Sequence, residues 1–299
     1  MLIGHTRQLL YLKKAAANGM LGHAYLFEGP KHVGKMTTAL EWASSFFPSS
    51  ERGFVGAGSH PDVIVLSKEC HLSEKAEENE NTIGIDDVHE LRRLMTLSTR
   101  VGTHRIAIID GAEDMQSPAQ NALLKILEEP GAGKLFILVS HDASRLLPTI
   151  LSRVVSMSFS YLSDADMQKY AKEAGVAVKD EKDLLFSAGG RPGVLARLVR
   201  DAEFRTEARE RKKMLASLVG APLFENMKVA SVIAGDRDAE SEFFFGFFRM
   251  LREELTDALE RGEGTREQAL LRNTLRIKRY MDTTNVNRRL ALENVILEL

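Results

Sequence analysis

Cysteine is nearly absent from this sequence: Cys70 is the single one in 299 residues. One thiol excludes a disulfide within the chain and a multi-cysteine zinc site, and it suits a reducing cytoplasm. Long apolar runs are missing too, none approaching the roughly 20 residues that cross a bilayer. The first stretch, MLIGHTRQLLYLKKAAANG, lacks the unbroken apolar block of a signal peptide. Its apolar residues recur at helical spacing among Arg7, Lys13 and Lys14, so export is not expected. Charge of one sign is lacking as well: 40 basic and 42 acidic side chains leave a net charge of -2. Any nucleic-acid contact must then come from a local patch or from a partner. His60 and His71 have no companion His, Cys or carboxylate at ligand spacing and read as loop histidines. What is present, 44% hydrophobic and 27% charged residues, is ordinary for a globular chain long enough for two or three domains.

The organising stretch is AYLFEGPKHVGKMTTALEW, Ala24 to Trp42. It reads as a short strand (Ala24 to Phe27), a turn of the form G-x-x-x-x-G-K from Gly29 and Pro30 to Gly34 and Lys35, and a helix from Met36. Glycine takes the positive-φ angles that turn successive backbone N–H groups inward, and the following helix N-terminus adds its dipole, so such a loop holds phosphate oxygens. Lys35 adds a point charge at the outer phosphates. The pattern then asks for a Ser or Thr hydroxyl on Mg²⁺, and Met36 stands there. A thioether is a poor ligand for so hard an ion, and Thr37 sits one residue late, about 100° further round the helix. The cradle for phosphate is present and the metal's protein ligand is not, so the cofactor to expect, if the loop is used, is ATP or ADP with weakly held magnesium.

Taken in order, an amphipathic helix spans 6 to 18, with Leu9, Leu12 and Ala16 on one side and Gly19 ending it. The loop helix runs to about Phe47, and glycines 53, 56 and 58 mark a loop. Val63–Leu66, Arg105–Asp110, Leu135–Val139 and Val154–Phe159 are four further strands, short and mostly apolar, as strands buried on both faces of a parallel sheet are. Lys68 to Asn81 is an acidic, solvated excursion. Asp86 and Asp87 open a helix with Val88, Leu91, Leu94 and Met95 on one stripe. Ser117-Pro118-Ala119-Gln120 reads as a capping box with Pro at the first helical position. Alternating strands and helices predict a parallel α/β sheet with helices on both faces. After Phe159 only helices are expected, including 205–218, 223–234, 238–261, 265–281 and 286–298. The Phe243–Phe248 cluster is expected to supply bundle core, with some rings left to face another subunit.

Asp110 closes the third strand where P-loop NTPases place the carboxylate for Mg²⁺. Gly111 replaces the glutamate that orients the attacking water, and Glu113 and Asp114 are expected to point elsewhere, as helix-capping acids. Groups that act only in the transition state are worth orders of magnitude in rate, so hydrolysis at this site is expected to be slow or nil. Ser140 stands where a polar residue can sense a terminal phosphate, or can simply bond to nearby backbone. Ser152-Arg153 lies on a short helix at the domain edge. Its arginine can serve as a finger on a neighbour's nucleotide or sit in a surface ion pair.

HAYLFEGPKHVGK, HPDV, IDDVHELRR, RIAIIDGAEDM, QNALLKILEEPGAGKLFILVS, LLPTILSRV and GGRPGVLARL follow the same order as in the delta-prime subunits of the bacterial DNA polymerase III clamp loader. The resemblance covers about residues 1–200 and places the chain among the AAA+ clamp-loader proteins. It implies a RecA-like AAA+ core with a five-stranded parallel sheet (1–160), a helical lid (161–204) and an all-α collar (205–299) that assembles with gamma/tau and delta subunits. The complex would act in the cytoplasm on the sliding clamp and primer-template DNA, without a membrane. By the same resemblance, Arg153 after Ser152 completes a neighbour's ATP site, and Val154 stands where the family's cysteine usually is. The family's four-cysteine zinc module has no counterpart in Phe46 to Ser59. Gly193 falls near the position of an ATP-sensing arginine, with Arg191 close by. The alternative function is a gamma/tau-like ATPase that hydrolyses ATP itself.

Overall fold

Five runs of apolar residues alternate with amphipathic helices, and the computed structural model shows how they layer. It describes residues 3–73, 81–218, 237–262, 264–283 and 287–297. The strands are β1 (Ala24–Glu28), β2 (Val63–Leu66), β3 (Arg105–Asp110), β4 (Lys134–Ser140) and β5 (Val155–Ser158), all parallel in the order β2-β3-β4-β1-β5. Side chains alternate across the pleat, so β1 to β4 each feed two cores. Leu26, Ala107, Ile109, Phe136 and Leu138 face one side, against α4 (Ile85–Thr96) and α5 (Ser117–Glu128). Tyr25, Phe27, Ile106, Ile108, Leu135 and Ile137 face the other, against α1 (Thr6–Ala17), α2 (Lys35–Ser44) and α3 (Arg52–Gly56). Each Leu, Ile or Phe among them, once fully buried, contributes roughly 1.5–3 kcal/mol of transfer free energy. β5 lies at the edge and buries only Met157.

Several local expectations are corrected. On α1, Leu12 is buried and Leu9 partly so, while Ala16 is exposed, because the helix touches the core along a narrow line. The glycines at 53 and 56 lie in α3, which anchors on the buried Val55 rather than forming a plain loop. α5 starts one residue early: Gln116 is its N-cap, Pro118 is at its second position, and no side chain caps it. Gln120 points into the protein instead. His60 is 3% exposed, packs 4.1 Å from the Phe47 ring and accepts from Asp62 N–H at Nδ1. The His71 ring lies 2.7 Å from Asp87, whose carboxylate also accepts from Leu72 and Ser73 N–H. Both histidines lie in loops, as expected, and each has a bonding partner there.

By contacts the chain divides into two compact units. One comprises Met1–Tyr170 and Gly190–Gly193; it contains the sheet, α6 (Pro148–Leu151) and most of α7 (Asp164–Glu173). The other comprises Ala171–Gly189 and Val194–Leu299. Its core joins Phe186 of α8 (Val178–Ala188), Leu215 of α10 (Ala202–Leu218) and residues of α11 (Arg237–Glu260), α12 (Thr265–Thr283) and α13 (Arg288–Leu297). α9 (Pro192–Arg200) precedes α10. Phe243, Phe244 and Phe247 are buried, and Phe243 stacks on Phe247 at 5.6 Å. Phe245 and Phe248 are half-buried, so none of the five rings stands out to solvent, because neighbouring helices enclose α11. The expected 223–234 helix and residues 74–80 of the acidic excursion lie outside the described residues. Among the described residues no helix is long and apolar enough to cross a membrane.

Candidate functional site

The turn after β1 can be built only with glycine at its ends. A Cβ on Gly29 (φ 144) would lie 2.1 Å from the Phe159 carbonyl oxygen, and Gly34 (φ 103) is the left-handed N-cap of α2. The loop is tied down by Gly29 N–H donating to Ser140 O at 3.2 Å and by His5 Nε2 lying 2.8 Å from Val33 O. Inside it, Lys35 is 6% exposed and its Nζ donates to the carbonyl oxygens of Gly29 and Pro30, both at 2.6 Å. Burial lowers its pKa to about 8; the carboxylate of Asp110 works in the opposite direction and Lys31 in the same one. Phosphate could enter only with Lys35 released from these carbonyls. Met36 is half-buried against the core of the α2 face and Thr37 is exposed, so neither presents a hydroxyl where the metal ion would need one. The donor set suits phosphate and does not suit magnesium.

Asp110 ends β3, two strands from β1. Burial raises its pKa, the Lys35 charge lowers it, and Glu69 and Asp114 add to the rise. Gly111 leaves the strand with φ 72. Glu113, 2% exposed, accepts from His141 N–H at 3.1 Å and pairs with the His141 ring, so it clasps the end of β4 rather than capping a helix. Asp114 lies 3.5 Å from Lys68 and 3.6 Å from Arg145. Ser140 is buried, and its hydroxyl accepts from Asp142 N–H at 3.1 Å, the bond to backbone weighed above. Gly193 N–H donates to His32 O at 3.0 Å, and a side chain at 193 would begin 3.2 Å from His32. A glycine thus meets the loop backbone near the point where the resemblance puts a sensing arginine. Arg191 beside it is 6% exposed.

Ser152 and Arg153 follow the one-turn helix α6 and precede β5. The β1–β5 register pairs Tyr25 with Val155 and Glu28 with Ser158. Arg153 therefore sits beyond the N-terminal edge of the sheet, and the phosphate loop beyond its C-terminal edge. At about 3.3 Å per residue, the strands separate them by more than 10 Å. Ile150 and Val154 pack on the α4/α5 face, opposite α2. Val154, where the resemblance puts a cysteine, packs there as an apolar anchor. Arg153 ion-pairs with Glu128 at 2.9 Å and donates to Thr149 O at 3.0 Å and Ser152 Oγ at 3.1 Å, all at the surface. Surface pairing, one of the two alternatives for Arg153, is thus realised. Sequence reasoning missed Gln120 and Asp62, which bond to residues 25 or more positions away, contacts that leave no local pattern. Among the described residues, no three His, Cys, Asp or Glu side chains gather as metal ligands.

Fold and loop together define the class: an α/β fold of the RecA-like AAA+ type with a phosphate-type loop after β1, in which Met36 follows the loop lysine and Gly111 follows Asp110. The chain belongs to the family described as DNA polymerase III, delta subunit, which matches residues 4–163. A delta' subunit of DNA polymerase III from Pseudomonas aeruginosa is 31% identical over 224 residues, spanning 68% of this chain and 65% of that protein. The delta' subunit of Bacillus subtilis is 30% identical over 167 residues, 52% of this chain and 47% of that one. A gamma/tau subunit from Mycobacterium bovis is 30% identical over 195 residues, 63% of this chain and 34% of its own. The chain is thus matched to less than two thirds of each relative's length. Among solved structures, a mutant of RuvB from Thermotoga maritima matches 83% of this chain and 87% of its own with a TM-score of 0.52 and 14% identity, a likeness of fold alone.

Proposed function

We propose that this chain is the delta-prime-like subunit of a DNA polymerase III clamp loader and that it stimulates ATP hydrolysis in a neighbouring subunit through Arg153. The observation that supports this reading is the placement of Arg153 at the sheet edge opposite its own phosphate loop, out of reach of a nucleotide held by this chain. Its own loop offers Met36 and Gly111 in place of the magnesium hydroxyl and the water-orienting acid, so this subunit is not itself an ATPase. Any ATP or ADP held by Gly29, Pro30, Gly34 and Lys35 is structural, with Thr37, Asp110 and Ser140 near it but not in catalytic roles. The chain is laid out as core (1–160), lid (161–204) and collar (205–299). Its partners are gamma/tau and delta subunits in the cytoplasm, and through them the sliding clamp and primed DNA.

The test is Arg153→Ala in a complex reconstituted with gamma/tau and delta subunits. An arginine finger is worth about 10³–10⁵ in rate at the site it serves. Hydrolysis at that site should fall accordingly, with assembly intact. Unchanged ATPase, or turnover by the isolated chain that Lys35→Ala abolishes, would overturn the reading.

A further inference from the structure

The loop after β1 is satisfied on its acceptor side and unsatisfied on its donor side. The carbonyls of Gly29 and Pro30 accept from Lys35 Nζ, both at 2.6 Å, and that of His32 accepts from Gly193 N–H at 3.0 Å. Val33 O lies 2.8 Å from His5 Nε2, and Gly34 O accepts from the N–H and the Oγ1 of Thr38 at 2.9 and 2.8 Å. Among the described residues, the successive N–H groups of Val33, Gly34, Lys35 and Met36 meet no acceptor. Val33 and Lys35 are 0% and 6% exposed, and an unmet N–H is costly in such surroundings. Four donors in a row, at the positive end of α2 and beside a buried ammonium, call for an anion that brings its own acceptors.

A loop of this kind ordinarily takes its phosphates with a metal ion, held by the hydroxyl that follows the lysine. Here Met36 packs a thioether against the core of the α2 face, Thr37 is exposed, and the carboxylate of Asp110 already has the Lys35 charge acting on it. Magnesium on the phosphates would gain no hydroxyl ligand, would keep its water shell and would cancel charge that Lys35 can otherwise pair with. We propose that this loop binds phosphates as a metal-free anion: a di- or triphosphate group seats on the N–H groups of residues 33–36, Lys35 Nζ leaves the Gly29 and Pro30 carbonyls for its oxygens, and magnesium opposes binding instead of assisting it. The proposal deepens the reading of this loop as a structural holder of nucleotide. It is independent of Arg153, so failure of the finger leaves it standing. Burial brings the Lys35 ammonium toward neutrality at about pH 8, so binding above that pH takes up a proton, and affinity falls there as pH rises while staying level below.

Isothermal titration calorimetry on the full chain measures binding of ADP, ATP and pyrophosphate in EDTA and in millimolar magnesium, on either side of pH 8, for the native chain, Lys35→Ala and Met36→Thr. The expected result is binding in EDTA that magnesium weakens by about two- to tenfold, and a loss of about ten- to hundredfold in Lys35→Ala. Met36→Thr supplies the missing hydroxyl and should reverse the sign, so that magnesium tightens binding. Either order of affinity between ADP and pyrophosphate supports the proposal, ADP first naming a nucleotide as the source of the phosphates and pyrophosphate first naming the free anion. Native binding that needs magnesium, or no binding of any of the three in EDTA, would overturn it. So would full affinity in Lys35→Ala, or an affinity that stays level across pH 8, since either separates the ammonium from the anion.

Discussion

The ammonium of Lys35 donates to the carbonyl oxygen of Gly29 at 2.6 Å, so the phosphate loop is bonded to its own lysine. That contact holds a cation where burial disfavours charge, and the group titrates at about 8 instead of 10.5.

The consequence for stability has a definite sign. Between about 8 and 10.5 the unfolded chain holds a proton on Lys35 that the folded chain has shed, so folding becomes more favourable as pH rises through that window. Below about 8 both states are protonated and the cost of the buried charge is fully present. Urea unfolding of the native chain and of Lys35→Met across this range should show the native chain gaining on the variant at the alkaline end. A constant difference would mean that the ammonium is solvated.

Gly29→Ala should destabilise the chain by about 1–3 kcal/mol, because its Cβ would sit 2.1 Å from the Phe159 carbonyl and φ 144 strains any side chain. Gly53→Ala is the matched control. No atom lies within 4 Å of its Cβ position, and helical alanine gains roughly 0.5–1 kcal/mol over glycine. Differential scanning calorimetry should move the two midpoints in opposite directions.

Asp62 is fully buried and accepts from the backbone N–H groups of Arg100 and Val101 at 2.8–2.9 Å, with Arg105 at 3.3 Å. Burial alone would raise its pKa, but these donors outweigh it and hold the carboxyl below its ordinary 3.8. Its stabilisation is therefore complete above pH 3.8 and is lost as pH falls through the lower folded value. Asp62→Ala leaves Arg105 buried without its counter-charge and should cost about 3–5 kcal/mol at neutral pH, with the difference from the native chain closing in acid. A variant as stable as the native chain at neutral pH would contradict this.

Glu128→Gln removes the partner of Arg153 at the exposed end of α6. Surface pairs contribute roughly 0.2–1 kcal/mol, so the thermal midpoint should shift by no more than about 2–4 °C. Stimulated ATPase of the complex should be unchanged or higher, since the guanidinium no longer has to leave a carboxylate. A large loss would assign Glu128 a share in aiming the finger.

Much of this was legible in the chain itself. Apolar runs four to seven residues long, separated by amphipathic stretches, announce a parallel sheet because strand and helix periods are local properties of consecutive residues. Gly29, Gly34 and Lys35 announce a phosphate loop for the same reason, and Met36 and Gly111 show by their chemistry alone that no hydroxyl or carboxylate stands at those two positions. The misreadings came where a residue's role is set by partners distant along the chain. His71 looked unpartnered, Gln120 like part of a cap and Glu113 like a helix-end acid. Each is instead claimed by a bond to a segment 16 or more positions away, which forms only once the fold has brought the two together.

Sequence by itself determined the layers, the loop and the groups absent from it, since these follow from neighbours along the backbone. Only the tertiary structure decided that Lys35 turns inward, that Arg153 stands at the edge opposite its own loop, and that Gln120 bonds to the loop before α6. Those facts depend on strand register and on which polar groups burial forces into partnership, and neither is written in any short stretch of residues.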